Sequence, residues 1–240
     1  MNRPKLKNGD ELLSSPIVAN NLMNRGRGCL GANSYRKELG FDPVAFLDAR
    51  LSAGRQTAWL DVACGEARAL FEAARLLESF KQPNTGGESR SLRIVGIDLA
   101  GMFAEPDPIS DSVELLETSV EEFSTPRKFD LVTCVHGLHY VGDKISAILR
   151  CVQWLKPDGL FLANLDLRSL QLAERENSAR EFAAYFKANG FVLDRRRRLI
   201  SLDGGRRIAS PFVYLGADDA AGPNYTGQRA VDSYYRRASK

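Results

Sequence analysis

The stretch that most constrains this chain is residues 57–71, TAWLDVACGEARALF. It opens as an apolar run that reads as a buried strand, then turns at Gly65 among small residues. Beyond the turn, apolar residues return at Leu70, Ala73, Ala74 and Leu77, the spacing of one helix face. A strand that ends in a small-residue turn and opens a helix lets backbone approach a ligand closely. The helix start also offers N–H groups that no carbonyl of the helix can pair. Asp61 stands at the end of the strand. A carboxylate there repels phosphate and suits a ligand carrying an ammonium group or hydroxyls.

The rest of the chain repeats the alternation. Residues 10–24 read as an imperfect helix interrupted by Pro16, and Arg25-Gly26-Arg27-Gly28-Cys29-Leu30-Gly31 as a hinge or loop, since no strand precedes it as in a phosphate loop. Asp42-Pro43 starts a helix, with Asp as cap and Pro at the first position. A helix is expected over 66–80, a polar connection over 82–91, and strands over 92–98, 113–117 and 128–135. A helix follows over 143–155, a turn at 156–159, a strand over 160–165 and a helix over 169–188. Residues 191–202 and 207–215 flank Asp203-Gly204-Gly205, a hairpin signal. Strand–helix repeats of this kind give a parallel sheet covered on both faces. The expected fold is therefore α/β, a doubly wound, mostly parallel seven-stranded sheet with a C-terminal antiparallel hairpin and an N-terminal helical lid.

Composition narrows the function. A formal charge of +3, from 33 basic and 30 acidic residues in 240, makes no polyelectrolyte, so no nucleic-acid partner is expected. No apolar run reaches the ~18 residues that span a bilayer, so no membrane partner is expected. The four cysteines lie far apart without a C-x-x-C pair, which reads as free thiols in a reducing, cytoplasmic setting. The polar start of the chain has no signal-peptide pattern.

Leu60-Asp61-Val62-Ala63-Cys64-Gly65-Glu66-Ala67 resembles the first motif of class I S-adenosylmethionine-dependent methyltransferases, an acid followed by Gly-x-Gly-x-Gly. Asp61 matches the acid and Gly65 the central glycine, while Ala63 and Ala67 stand in place of the outer glycines. The resemblance spans roughly residues 57–215 as a Rossmann-like core. It leaves 1–56 as a helical lid and 216–240 as a tail of a single domain. It implies S-adenosyl-L-methionine as cofactor, held by Asp61, the turn at Ala63, Cys64 and Gly65, and Asp98 at the end of the second strand. A carboxylate at that place accepts two ribose hydroxyls. Leu99 would lie against the adenine. Ser119 takes the place where the family often has an Asp for the adenine amino group, and Val120 would offer its N–H to the ring. Cys134 and Val135 would pass beneath the methionine part. In the lid, Asn33 and Tyr35 supply polar tips for the cofactor's amino-acid end, and Arg36 either pairs with its carboxylate or is solvated.

The chain's two histidines, His136 and His139, lie in the turn after the fourth strand, which borders the substrate. No local acid or Cys completes a metal set, so no metal is expected. A general base is the better reading, with His136 favoured and His139 either a second site residue or packed in the helix start. The turn lacks the Asn/Asp-Pro-Pro-Tyr/Phe motif of enzymes that methylate nucleic-acid bases. Arg195-Arg196-Arg197-Arg198 reads as a charged edge strand, with contact to an acidic substrate as the alternative. The implied function is methyl transfer to O, N or C of a small molecule, as a monomer or homodimer. The alternative is a non-catalytic cofactor-binding or scaffold protein of the same fold. An RNA methyltransferase is disfavoured by the absence of a basic face.

Overall fold

The computed structural model describes residues 4–8, 11–12, 14–15, 17, 26–77, 91–105, 111–174 and 178–238. The expected helix over 10–24 and the connection over 82–91 fall almost wholly outside these residues. Ten strands are described: β1 (Thr57–Val62), β2 (Leu92–Asp98), β3 (Val113–Glu117), β4 (Phe129–Cys134), β5 (Leu155–Asn164), β6 (Leu170–Leu172), β7 (Val192–Asp194), β8 (Leu199–Asp203), β9 (Phe212–Asp218) and β10 (Asp232–Arg237). The described helices are α1 (Tyr35–Leu39), α2 (Pro43–Ser52), α3 (Arg68–Leu76), α4 (Lys144–Gln153) and α5 (Ala179–Ala188).

Seven strands form one sheet in the order β3-β2-β1-β4-β5-β8-β7, with β8 antiparallel to both neighbours and the others parallel. Chain order reverses direction across the sheet between β1 and β4. In open α/β sheets this switch point, at the carboxyl ends of the strands, is where ligands bind. Period-2 alternation in β1 explains the two covered faces. Ala58, Leu60 and Val62 pack with Ile145 and Ile148 of α4 and Phe182 and Phe186 of α5. Trp59 packs on the other face with Leu47 and Leu51 of α2 and Leu70 and Ala73 of α3.

Three expectations are corrected. The closing hairpin does not turn at Asp203-Gly204-Gly205; its turn is the arginine run between β7 and β8. Asp194 Oδ1 accepts the Arg196 and Arg197 N–H groups at 2.9 Å each, and Arg198 takes a left-handed φ of 52°. This side-chain-capped turn is the arrangement an Asp favours. The glycines at 204 and 205 serve close approach instead: a Cβ on Gly205 would lie 2.2 Å from the Leu155 carbonyl oxygen. Second, residues 169–188 are not one helix. Leu170 and Leu172 are buried around half-buried Gln171, a period of 2, and α5 begins at Ala179. Third, the expected turn at 156–159 is a bulge inside β5, where Phe129 and Leu131 face Leu155 and Leu160.

The strand expected over 207–215 leaves the main sheet. As β9 it joins β10 and β6 in a separate three-stranded sheet, so residue 215 lies within a strand. This small sheet is pinned to the main body by Lys144, which is fully buried. Its ammonium donates to the carbonyls of Val141 (3.0 Å) and Val231 (2.7 Å) and to the Ser233 hydroxyl (3.0 Å). Three acceptors satisfy its three donors, so its role is architectural. Burial lowers its pKa to about 7.

Candidate active site

The turn after β1 keeps the backbone of a glycine motif with alanine at its two outer positions. Ala63 (φ 57°), Gly65 (φ 60°) and Ala67 (φ 61°) are all left-handed. For alanine this costs about 1–2 kcal/mol per residue, and strain of that size persists where surrounding structure over-determines it. The determinants are visible. Cys64 N–H donates to the Ile97 carbonyl (3.0 Å) and Gly65 N–H to Asp98 Oδ2 (3.0 Å), tying the turn to the end of β2. The other Asp98 oxygen accepts the Ala100 N–H at 3.0 Å. Helix α3 has Ala67 at its N-cap and no side chain capping it, so its first N–H groups at the turn have no side-chain partner.

Asp61 is wholly buried. Its two oxygens accept hydroxyls, Thr133 at 2.5 Å and Tyr35 at 2.6 Å, and Thr133 in turn accepts the Trp59 indole N–H at 2.8 Å. No cationic side chain among the described residues pairs with it. Burial raises its pKa to about 7, assisted by the charge of Asp98 and opposed by the two hydroxyls.

Segment 26–41 lies over this end of β1. The Cys29 N–H donates to Glu72 of α3 at 2.7 Å, and the Tyr35 ring meets Trp59 edge-on with centroids 6.1 Å apart. Asn33 and Arg36 point elsewhere: Asn33 is exposed, and the exposed Arg36 pairs with Asp42 at 3.5 Å. Among the expected cofactor residues, Cys64 and Cys134 are buried, and burial raises both thiols well above their ordinary value. Their side chains are packing groups, so only backbone remains to meet a ligand. Leu99 is half-buried, Ser119 and Val120 are buried, and the Ser119 hydroxyl accepts the Glu122 N–H at 3.1 Å. Arg150 fixes this loop through the carbonyls of Val120 and Phe123.

The turn after β4 abuts the first. A Cβ on Gly137 would lie 2.4 Å from that of Ala63, so only glycine lets the two turns touch. The preceding residue, His136, is left-handed (φ 60°), and the Asn164 side chain accepts its N–H at 3.1 Å. Its Nε2 lies 2.9 Å from Glu38 Oε2 of α1, and Arg27 lies 3.3 Å from the other Glu38 oxygen. The hydrogen bond from His136 does most to hold the Glu38 carboxyl below its usual pKa. His136 Nδ1 and His139 Nε2 are both buried without a hydrogen-bond partner among the described residues. Burial, with the neighbouring His136, lowers the His139 pKa to about 3, so it is neutral. Tyr225 completes the cluster, its centroid 5.3 Å from His139 and 6.3 Å from His136. Arg198 stacks 4.4 Å over Tyr225 and pairs with Asp166 at 2.7 Å.

Glu38, Arg27, Thr133, Asn164, Asp166 and Tyr225 were not legible as site residues, and Arg198 only through the alternative reading of its run as an acidic-substrate contact. Only Glu38 carried a local signal, three residues after Tyr35 and so on the same helix face.

Residues 60–161 match the family model described as a methyltransferase domain. Two curated relatives are named ubiquinone biosynthesis O-methyltransferase. That of Actinobacillus pleuropneumoniae serotype 7 is 27% identical over 118 residues, 47% of this chain and 47% of that protein. That of Saccharophagus degradans is 30% identical over 107 residues, 42% of this chain and 39% of the other. The chain spans about half the length or less of these relatives. Among solved structures, the amino pentose methyltransferase CalS10 of Micromonospora echinaspora aligns with a TM-score of 0.38 and 22% identity, over 56% of this chain and 52% of that one. The matched stretch runs from β1 into β5 and so takes in the switch point of the mostly parallel seven-stranded sheet.

Proposed function

We propose that this chain transfers a methyl group from S-adenosylmethionine to a small-molecule acceptor. The observation that carries the reading is Asp61, a buried carboxylate without a cation, beside a strained turn at the switch point of the sheet. Such a group is costly unless a ligand compensates it, and the cofactor's ammonium is a fitting partner. The uncapped start of α3 suits the cofactor's carboxylate. Each Asp98 oxygen accepts one backbone N–H and keeps a lone pair for a ribose hydroxyl. Leu99, Ser119 and Val120 line the adenine end, and the backbone of Cys134 and Val135 the methionine end. Segment 26–41 acts as a lid, with Tyr35 as its contact to Asp61.

The bound cofactor supplies a methyl group on an already activated sulfonium. The protein's part is therefore largely positioning, with His136 as base where the acceptor needs one. The names of the curated relatives support a small-molecule acceptor. Four free, buried thiols suit a reducing, cytoplasmic setting. Titration calorimetry with S-adenosylmethionine and S-adenosylhomocysteine tests the reading. Binding of both, the product more tightly, is expected of a turning-over enzyme, and absence of binding would refute it.

A further inference from the structure

We infer that Glu38, carried by α1 of the lid, positions His136 as the general base for a hydroxyl acceptor that is held between His136 and His139. This deepens the proposed methyl transfer and rests on it. The Glu38 carboxylate fixes which imidazole nitrogen carries the proton. A carboxylate accepts only, so Nε2 is the donor in the 2.9 Å contact and Nδ1 of neutral His136 keeps its lone pair. That lone pair is buried without a partner on a side chain more than nine-tenths buried, and so is Nε2 of His139. Buried polar atoms in a native protein are satisfied in the great majority, and neighbouring exceptions mark a place where a ligand's polar atom belongs.

The group that fits is a hydroxyl. The two imidazole centroids lie 5.5 Å apart, a separation at which one oxygen can reach both rings through hydrogen bonds of about 2.8 Å. The hydroxyl donates to Nδ1 of His136 and accepts from Nε2 of His139 in its Nε2–H tautomer. The Tyr225 ring beside both histidines supplies an apolar wall for a flat acceptor. In the transfer step the acceptor oxygen forms a bond to the methyl carbon. The carbon–sulfur bond breaks, and its electron pair returns to sulfur as the neutral thioether. The hydroxyl proton passes to Nδ1, giving an imidazolium that Glu38 stabilises as an ion pair. Neutral amine acceptors attack without a base, so they gain nothing from this pair before the methyl is transferred.

Glu38 from α1 touches His136 and pairs with Arg27 from the preceding loop, and Arg198 from the β7–β8 turn pairs with Asp166. His139 is neutral, and Tyr225 keeps its proton because burial raises its pKa to about 12. Because α1 bears Glu38, the base is assembled only with the lid in place.

Only two histidines occur in the chain, so long-range ¹H–¹⁵N correlation spectra of the whole protein resolve both rings without ambiguity. Neutral His136 should be Nε2-protonated, and Glu38→Ala should abolish that single-tautomer preference. An Nδ1-protonated His136, or a tautomer unmoved by Glu38→Ala, would overturn the positioning role. The second arm compares catechol with 1,2-diaminobenzene, alike in shape but offering O–H or N–H, using methyl-labelled S-adenosylmethionine. Expected is transfer to catechol, reduced at least about tenfold in kcat by Glu38→Gln with KM for S-adenosylmethionine unchanged, while any transfer to the diamine is unaffected by that substitution. Transfer to the diamine alone, or to neither, would overturn the hydroxyl assignment. Failure of S-adenosylhomocysteine to bind would instead overturn the methyltransferase reading, while the tautomer result would still report the Glu38–His136 pair.

Discussion

Two buried aspartates sit at opposite ends of neighbouring central strands, and the sheet treats them oppositely. Asp130, near the start of β4, is fully buried and surrounded by cations: Lys156 at 2.6 Å, Arg50 at 3.3 Å and Arg55 at 3.7 Å. It also accepts the Ala58 N–H at 2.8 Å. Asp61, near the end of β1, is equally buried and among the described residues receives only the hydroxyls of Thr133 and Tyr35. The amino ends of the strands are closed with charge complementarity. The carboxyl ends retain an uncompensated carboxylate, two strained alanines and two unpartnered imidazole nitrogens. A well-compensated buried charge speaks of architecture, an uncompensated one of a ligand.

The largest effect expected from this contrast is on stability. Asp130→Asn leaves three cations facing a buried amide and should cost about 3–5 kcal/mol in chemical denaturation, with affinity for S-adenosylhomocysteine unchanged in the folded protein. A loss of affinity as large as the loss of stability would blur the two ends. Next in size is Asp98→Ala, which removes a carboxylate tied to the glycine turn and offered to the ribose. It should weaken S-adenosylhomocysteine binding by about 1.5–3 kcal/mol, tenfold or more. Unchanged affinity by calorimetry would remove Asp98 from the binding site.

Asp61→Asn should behave in the opposite sense to Asp130→Asn. The folded pKa of Asp61, about 7, lies above the ordinary carboxylate value near 4. The folded protein thus holds this proton more tightly than the unfolded chain does. Its contribution to stability is fully present below about pH 4 and is lost as pH rises through about 7. The substitution should flatten that part of the stability–pH curve and stabilise the ligand-free protein by ~1–3 kcal/mol at pH 8. A variant less stable than wild type at pH 8 would show that Asp61 is compensated after all. The smallest effect belongs to Ala67→Gly. Glycine relieves the left-handed strain but adds freedom to the unfolded chain, so thermal unfolding should shift by no more than about 1 kcal/mol, towards stability.

Much of the fold was legible because β1, β2 and β4 carry apolar-rich runs of strand length, and α3 and α4 an apolar face. What misled was punctuation. Gly204-Gly205 signals a turn in sequence but exists for the close passage of β5, while four arginines conceal a turn whose cap is the side chain of Asp194. Leu170 to Leu172 joins a parallel partner more than 60 residues away, which no local pattern can show. At the site, Asp61, Asp98 and the histidines were visible through motif position. Glu38, Arg198 and Tyr225 arrive from α1, the hairpin turn and the approach to β10, brought together by tertiary packing such as the Val231 N–H bond to the His139 carbonyl.

The most direct test of an uncompensated Asp61 is calorimetric titration with S-adenosylhomocysteine between pH 5.5 and 8, for wild type and Asp61→Asn. Below about pH 7 the buried carboxyl is largely protonated and lacks the charge that pairs with an ammonium group. Wild-type affinity should therefore rise with pH through that value, with proton release on binding in the lower range. Asp61→Asn should bind at least about tenfold more weakly at pH 8, with a flat pH profile. Equal affinities and parallel pH profiles in the two proteins would contradict a role for Asp61 as the counter-charge of the ligand.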